Sequence, residues 1–184
     1  MWKWMLLLGA ALAVPAAARG ADWQADPAAS SLEFSGAAEG EAFTGRFKQF
    51  TPLIRFDPAD LGGSRFEVDI DLASADTQNA ERDETLRGSD FFSVARFPRA
   101  SYLATAFRDL GGGRYAADGT LTLRGIAKPV TLEFIWSAQG EGATLEGKAT
   151  VQRLDFDVGA GDWADDSTVA HAIGVSTRLT LRAR

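Results

Sequence analysis

The chain has 184 residues, with 19 Lys+Arg against 25 Asp+Glu, one His and no Cys. That length suits one domain with a real core, and the lack of Cys excludes a disulfide framework, a thiol nucleophile and thiolate metal sites. A lone His excludes multi-His zinc or copper sites within one chain, and the net charge of −6 argues against a nucleic-acid partner.

The N-terminus reads as a secretory signal. Lys3 gives a positive start, Met5 to Val14 form an apolar run, and Ala16, Ala17 and Ala18 supply small residues. The run is too short to span about 30 Å of hydrocarbon. Residues 1–20 are therefore expected to be removed, with cleavage after Ala18 or Gly20, and no Cys follows for a lipid anchor. The mature chain, a single domain over 21–184, is expected in the periplasm. It keeps 17 basic and 25 acidic residues, a net charge of −8.

Downstream the dominant period is two, as in strands with one dry and one wet face. Strands are expected over 31–39, 42–50 and 53–56, the last ended by Asp57-Pro58. Leu61-Gly62-Gly63-Ser64 is expected to supply positive-φ turn positions. Phe66, Val68, Ile70 and Leu72 then alternate with Glu67, Asp69 and Asp71. The stretch 75–92 departs from this pattern, being charged and poor in β-branched residues. Its Asp83 and Arg87 have the i,i+4 spacing of a helical ion pair. A short helix is expected over 79–87, with Gly88 as its C′ residue, leading to Phe91-Phe92. Further strands are expected over 100–107, 115–124, 130–136 and 144–154. A last one alternates Val175, Thr177, Leu179 and Leu181 with polar residues. Leu110-Gly111-Gly112-Gly113 and Gln139-Gly140-Glu141-Gly142 read as turns, and Asp118-Gly119 as a bulge or bend inside a strand.

About eight antiparallel strands in one domain of this size form a sandwich or a closed barrel. The inward positions are rich in aromatics: Phe34, Phe43, Phe47, Phe56, Phe66, Phe134 and Trp136. Val68, Ile70, Leu121 and Leu123 share that face. Large aromatics line apolar ligand cavities and fill solid cores equally well, and periodicity does not choose between them.

Catalytic and metal chemistry find little support. His171 is the one imidazole base, and Ser167 with Asp165 or Asp166 lies near it in sequence, but no G-x-S-x-G elbow exists. Asp155, Asp157, Asp162, Asp165 and Asp166 resemble a calcium loop but lack its bidentate Glu. Asp69 and Asp71 sit on one strand face about 6.5–7 Å apart, and Glu67 continues the series as an ordinary wet face would. The chain is expected to be no enzyme, with no catalytic residue, no metal and no cofactor.

Several pieces in order give a family resemblance. Trp23-x-x-Asp26-Pro27 is followed by Ser31-Leu32-x-Phe34, Phe43-x-Gly45-x-Phe47 and Ile54-x-Phe56-Asp57-Pro58. Then come Arg82-Asp83-x-x-Leu86-x-x-x-Asp90-Phe91-Phe92, Phe97-Pro98 and Gly119-x-Leu121-Thr122-Leu123-Arg124-Gly125-x-x-Lys128-Pro129-Val130. Arg153-Leu154-Asp155-Phe156 completes the set. In these residues the chain resembles the YceI-like family of exported lipid-binding barrels. The resemblance implies an all-β fold, an extended eight-stranded antiparallel lipocalin-like barrel with one helical excursion at about 76–92. It also implies an apolar channel that holds a polyisoprenoid or similar long-chain lipid, with transient membrane contact. Phe91, Phe92 and Phe156 then join the inward residues as channel candidates, Phe91-Phe92 either as a lid or as the anchor of the excursion. Arg153 and Arg46 are the head-group candidates, ahead of Lys48, Arg124 and Lys128. Many relatives carry His where this chain has Ser30-Ser31 and Ala38. The other reading open at this point is a solid-core barrel acting as an accessory protein of a membrane redox complex.

Overall fold

The computed structural model describes residues 22–184; the signal peptide expected over 1–20 lies outside the described residues. Eleven strands form one antiparallel sheet that closes on itself. They are β1 (Asp22–Ala25), β2 (Ser31–Ala38), β3 (Glu41–Phe47), β4 (Phe50–Arg55), β5 (Arg65–Asp71), β6 (Ala75–Asp76), β7 (Arg99–Gly111), β8 (Arg114–Leu123), β9 (Ile126–Gln139), β10 (Gly142–Gln152) and β11 (Ala172–Ala183). β1, β4, β5, β7, β8, β9, β10 and β11 make a ring, closed where Trp23 of β1 pairs with Ala183 of β11. The other three strands extend interrupted staves at the opposite end, in the order β11–β2–β3–β6. The fold is therefore an eight-stave meander barrel. At the hairpin end this closure leaves no free sheet edge.

The interruptions are stitched. Between β1 and β2 the Ser30 hydroxyl accepts from Thr180 N at 3.2 Å and Thr180 Oγ1 donates to Ala29 O at 3.0 Å. Between β3 and β4, Lys48 N donates to Ser74 O and Gln49 N to Ser74 Oγ. The break after β5 is a 3-10 turn capped by Asp71, whose carboxylate accepts from Ala73 N at 2.9 Å.

The excursion holds the α-helix, α1 (Ala80–Arg87), with Asn79 as its N-cap. Gly88 ends it at φ −64°, an extended conformation, with its N–H donated to Glu84 O and Thr85 O. The expected Asp83–Arg87 pair does not form either. Asp83 is buried and accepts from Thr77 N at 2.8 Å and Thr77 Oγ1 at 2.7 Å. Arg87 donates to Ala73 O and Ala75 O. Both charges bolt the helix to the barrel, which stabilises it more than an exposed i,i+4 pair would. Leu61-Gly62-Gly63 likewise makes a 3-10 turn capped by Asp60 rather than a positive-φ turn. The bulge near Asp118-Gly119 falls on the facing strand, where Thr105 is the extra residue between Ala104 and Ala106. Gly119 is bare for another reason: a Cβ there would lie 2.5 Å from the Tyr102 ring.

Two apolar clusters fill the barrel ends. At the end with the β7–β8 and β9–β10 hairpins, Phe56 is fully buried amid Phe66, Phe107, Tyr115, Phe134 and Trp136, with ring centroids 4.9–6.0 Å away. Trp23 packs edge-on to Trp136 and donates its indole N–H to Phe56 O at 2.9 Å. The opposite cluster gathers Phe34, Leu72, Leu86, Phe91, Phe92, Phe156 and Val158 under α1 and the β10–β11 loop.

Truncating Phe56→Ala should cost about 3–5 kcal/mol, read as a lower urea midpoint by tryptophan fluorescence. On the outer wall, Arg108 donates to both Asp118 oxygens (2.7 and 3.0 Å) and Thr131 to one. The Arg108 hydrogen bond, then that from Thr131, pulls the Asp118 carboxyl down to about 2. The native state thus binds this proton less well than the unfolded chain, so the stabilisation is complete above the ordinary Asp value near 3.9 and is lost as pH falls toward 2. Wild type and Asp118→Asn should differ in unfolding midpoint above pH 5 and converge near pH 2.

Candidate ligand-binding cavity

Between the two clusters the barrel is hollow. The cavity measures about 200 Å³. Its middle level is walled by aliphatic side chains, among them Val68 and Ile70 of β5, Leu121 of β8, Val130 and Leu132 of β9 and Val175 of β11. These residues point inward yet are only half-buried, because they face a void rather than another side chain. Leu145, Ala149 and Val151 of β10 and Ile173, Val175, Thr177 and Leu179 of β11 border its length. Six residues of strand rise make that about 20 Å along the wall. The interior is therefore not solid.

No polar group of the wall is free. Tyr102 donates its hydroxyl to Ala117 O at 2.8 Å, with Val130 O at 3.1 Å, and burial pushes its phenol well above the ordinary range. Thr177 Oγ1 donates to Ser31 O at 2.9 Å. Arg153, 3 % exposed, donates all five N–H bonds to backbone carbonyls: Ala170 (3.1 Å), Val158 (3.0 Å), Gly159 (2.5 Å), Trp163 (2.6 Å) and Val169 (2.7 Å). Burial pulls its guanidinium below the ordinary value. No buried side-chain N or O among the described residues lacks a partner. The cavity presents carbon.

Two segments roof it. The excursion 77–98 carries Phe92, 6.0 Å from Phe47 between ring centroids, and Phe91, edge-on to Trp163 of the β10–β11 loop at 5.4 Å. Gly159 N donates to Asp90 O at 2.7 Å, joining the two segments. Arg124, in the left-handed conformation (φ 52°) at the tight β8–β9 turn, donates to Ser89 O and Phe91 O. The roof is thus held by two arginines that grip backbone.

The structure separates the sequence candidates by level. Phe34, Phe43, Phe47, Phe66, Val68, Ile70, Phe91, Phe92, Leu121 and Leu123 line the cavity. Phe56, Phe134 and Trp136 do not: they belong to the aromatic plug at the hairpin end. Phe156 packs behind the wall in the roof cluster. Arg153 borders the cavity as a staple with no donor to spare, and Arg46 lies outside, 58 % exposed and 3.5 Å from Asp76, which also binds Lys48 at 2.9 Å. Sequence reasoning missed Tyr102 and the wall of β10, and it grouped Val175, Thr177 and Leu179 on one face of the last strand without assigning them to a cavity.

The chemistry candidates stay apart from the cavity. Ser167 Oγ donates to Asp165 rather than to His171, and His171 Nε2 lies 2.7 Å from Ala164 O. Asp165 and Asp166 cap their own loop, accepting from Ser167 N and His171 N. Asp71 caps its turn, while Asp69 is exposed on the outer wall. Among the described residues, no three His, Asp or Glu side chains approach closely enough to hold a metal ion.

A closed eight-stave barrel with a plugged end, a roofed end and a carbon-lined interior defines a calyx protein of lipocalin-like outline. Residues 23–181 match the YceI-like domain model, and the chain belongs to that family. A UPF0312 protein of Shewanella denitrificans is 38 % identical over 138 residues, covering 73 % of this chain and 72 % of the relative. Another from Vibrio parahaemolyticus is 33 % identical over 160 residues, 82 % and 85 % of the two chains. Among solved structures, Burkholderia cenocepacia BcnA superposes with a TM-score of 0.82 at 29 % identity, over 85 % of this chain and 99 % of that one. A polyisoprenoid binding domain from Saccharophagus degradans, implicated in plant cell wall breakdown, shares the fold at TM-score 0.70 and 18 % identity, over 88 % of this chain and 98 % of that one.

Replacing Arg153 tests the roof. Arg153→Met leaves five inward carbonyls without donors, and each unpaired buried group costs about 1–3 kcal/mol. Arg153→Lys, with three donors on one nitrogen, should rescue only part. Both variants should lose at least about 3 kcal/mol in urea unfolding and exchange their 157–170 amides faster than wild type.

Proposed function

We propose that this chain is an exported, non-enzymatic binding protein that takes a polyisoprenoid or similar long-chain apolar lipid into the barrel cavity. One observation carries the reading: the cavity wall is carbon, and every polar group that reaches it is already spent on the protein's own backbone. Such a site rewards a ligand for its hydrocarbon and offers nothing to a polar body. Each buried CH₂ contributes about 0.8 kcal/mol, so a prenyl chain needs no polar contact for useful affinity. A carbon-lined cavity of about 150 Å³ stays dry and accepts apolar guests, and this one is larger. A polar head would remain outside, since neither Arg153 nor Arg46 is free to hold it within. Membership of the YceI-like family and the polyisoprenoid-binding domain that shares the fold support the same reading. The apolar run and small residues of 1–20 support export. The role that follows is carriage or storage of a water-insoluble molecule between membranes.

Native mass spectrometry of periplasmic protein purified without detergent should show a discrete added mass that extracts into organic solvent. Geranylgeraniol added to stripped protein should restore a one-to-one complex. Val68→Trp, which fills the middle of the cavity, should lower geranylgeraniol affinity at least tenfold while the thermal midpoint holds or rises. An apo mass with no uptake of geranylgeraniol overturns the reading.

A further inference from the structure

The barrel wall parts between two of its long strands. β9 and β10 pair from Gln139↔Gly142 to Glu133↔Lys148, and there the ladder stops. β9 runs on to Ile126, still paired with β8, and β10 runs on to Gln152, still paired with β11. Over 149–152 and the facing part of β9, no backbone or side-chain hydrogen bond crosses the gap, whereas the interruptions of the other staves are bridged by Ser30 and Ser74. The two walls meet again where the 3-10 turn Arg153–Phe156 packs against β9. The result is a bounded slot about 13 Å long, four residues at strand rise.

Local chemistry explains the parting. Continuing the register sets Pro129, which has no N–H to give, against Gln152, and sets Lys128 against Arg153. Like charges directly opposite destabilise a ladder, and proline cannot donate to one. Lys128 shares the inward alternation of Val130 and Leu132 yet is exposed, as a wall open at that point allows. On the β10 side the inward residue at the head of the slot is small, Ala149, and Gly147 precedes it at the end of the paired ladder. Leu132 reaches across to within 3.0 Å of where a Gly147 Cβ would stand, leaving one side chain to screen the upper end of the slot.

The slot also has two faces of opposite character. Val130, Leu132, Ala149 and Val151 line the cavity. Thr131, Glu133, Lys148 and Thr150 line a groove of about 550 Å³ on the outer surface, which shares Ala149 and Val175 with the cavity wall. The roof, by contrast, is fastened by Arg124, Arg153 and the Phe91–Trp163 contact. We infer that the β9–β10 seam is a lateral portal, through which an apolar chain slides into and out of the barrel while the roof stays shut. This rests on the lipid-binding reading above.

Because the native chain has no Cys, the seam can be closed at will. Thr131→Cys with Thr150→Cys places a thiol on each lip, joined as a disulfide or by a short reducible bis-thiol reagent. Uptake and release of a dansylated farnesyl probe are then followed by stopped-flow fluorescence. Closing the seam should slow both rates at least tenfold, leave the equilibrium affinity within about threefold, and be reversed by reduction. A second pair, Pro129→Cys with Gln152→Cys, spares the Thr131–Asp118 contact and should behave alike, which keeps the test available if the first pair fails to fold. Unchanged rates in the closed form overturn the portal and assign entry to the roof. Failure of wild-type and reduced protein to bind the probe at all overturns the binding reading itself, and the portal with it.

Discussion

The ring of aromatics around Phe56 is what allows the rest of the barrel to be hollow. An eight-stave barrel is just wide enough for side chains to fill it, so whether a given level is solid depends on side-chain size. At the plug level Phe56, Phe66, Phe107, Tyr115, Phe134 and Trp136 converge, and their edge-to-face contacts leave no gap. One level along, the same inward alternation carries Val68, Ile70, Leu121 and Val130, and the axis is left empty. An unfilled cavity costs about 24 cal/mol per Å³, or about 5 kcal/mol for 200 Å³. That is comparable with the entire stability of many domains. The plug and the roof must therefore hold the walls apart, and a guest that fills the void recovers the lost dispersion contacts. Binding and folding are linked through the same empty space.

The roof shows how the chain keeps its polar chemistry out of that space. Arg153 borders the cavity and Arg124 stands at the β8–β9 turn, and both donate to carbonyls of loops that have no ladder of their own. Buried loop backbone must find partners, and a guanidinium, with five donors in a rigid fork, can satisfy several carbonyls at once. The positive charge buried at Arg153 makes no ion pair and is offset by carbonyl dipoles and by the field of Asp166. An arginine beside a lipid cavity would ordinarily suggest a head-group ligand. Here the count of its hydrogen bonds gives it a structural role.

Period two was legible because it is written by burial: one face dry, one wet. It located nine of the eleven strands, and it failed for β1 and β6, which at four and two residues are too short to show a period. The helix was legible from composition, yet its ion pair was not, because Asp83 and Arg87 answer to Thr77, Ala73 and Ala75, partners supplied by tertiary packing. Alternation also tells which face a residue takes but not how far along the barrel axis it sits. Phe34 and Phe134 read alike in the sequence, while one lines the cavity and the other plugs it. The role of Arg153 was illegible for a related reason: its partners are main-chain oxygens, which every residue carries.

Closure, hollowness and access make conflicting demands on such a barrel. A ladder complete on all eight sides would protect the edges but would leave a cavity only through its ends, one filled by aromatics and the other roofed by arginine-held loops. The interruptions of β1/β2 and β3/β4 do not relieve this, since serine and backbone bonds close both of them. Between β9 and β10 the sequence instead places Pro129 opposite Gln152, and a continued ladder would set Lys128 opposite Arg153. Each of these opposes cross-strand pairing by a different mechanism, and both adjoin Val130, Leu132, Ala149 and Val151 of the cavity wall. A local conflict with the ladder, placed where the interior is empty, admits a guest without dismantling the plug or the roof that keep the interior open.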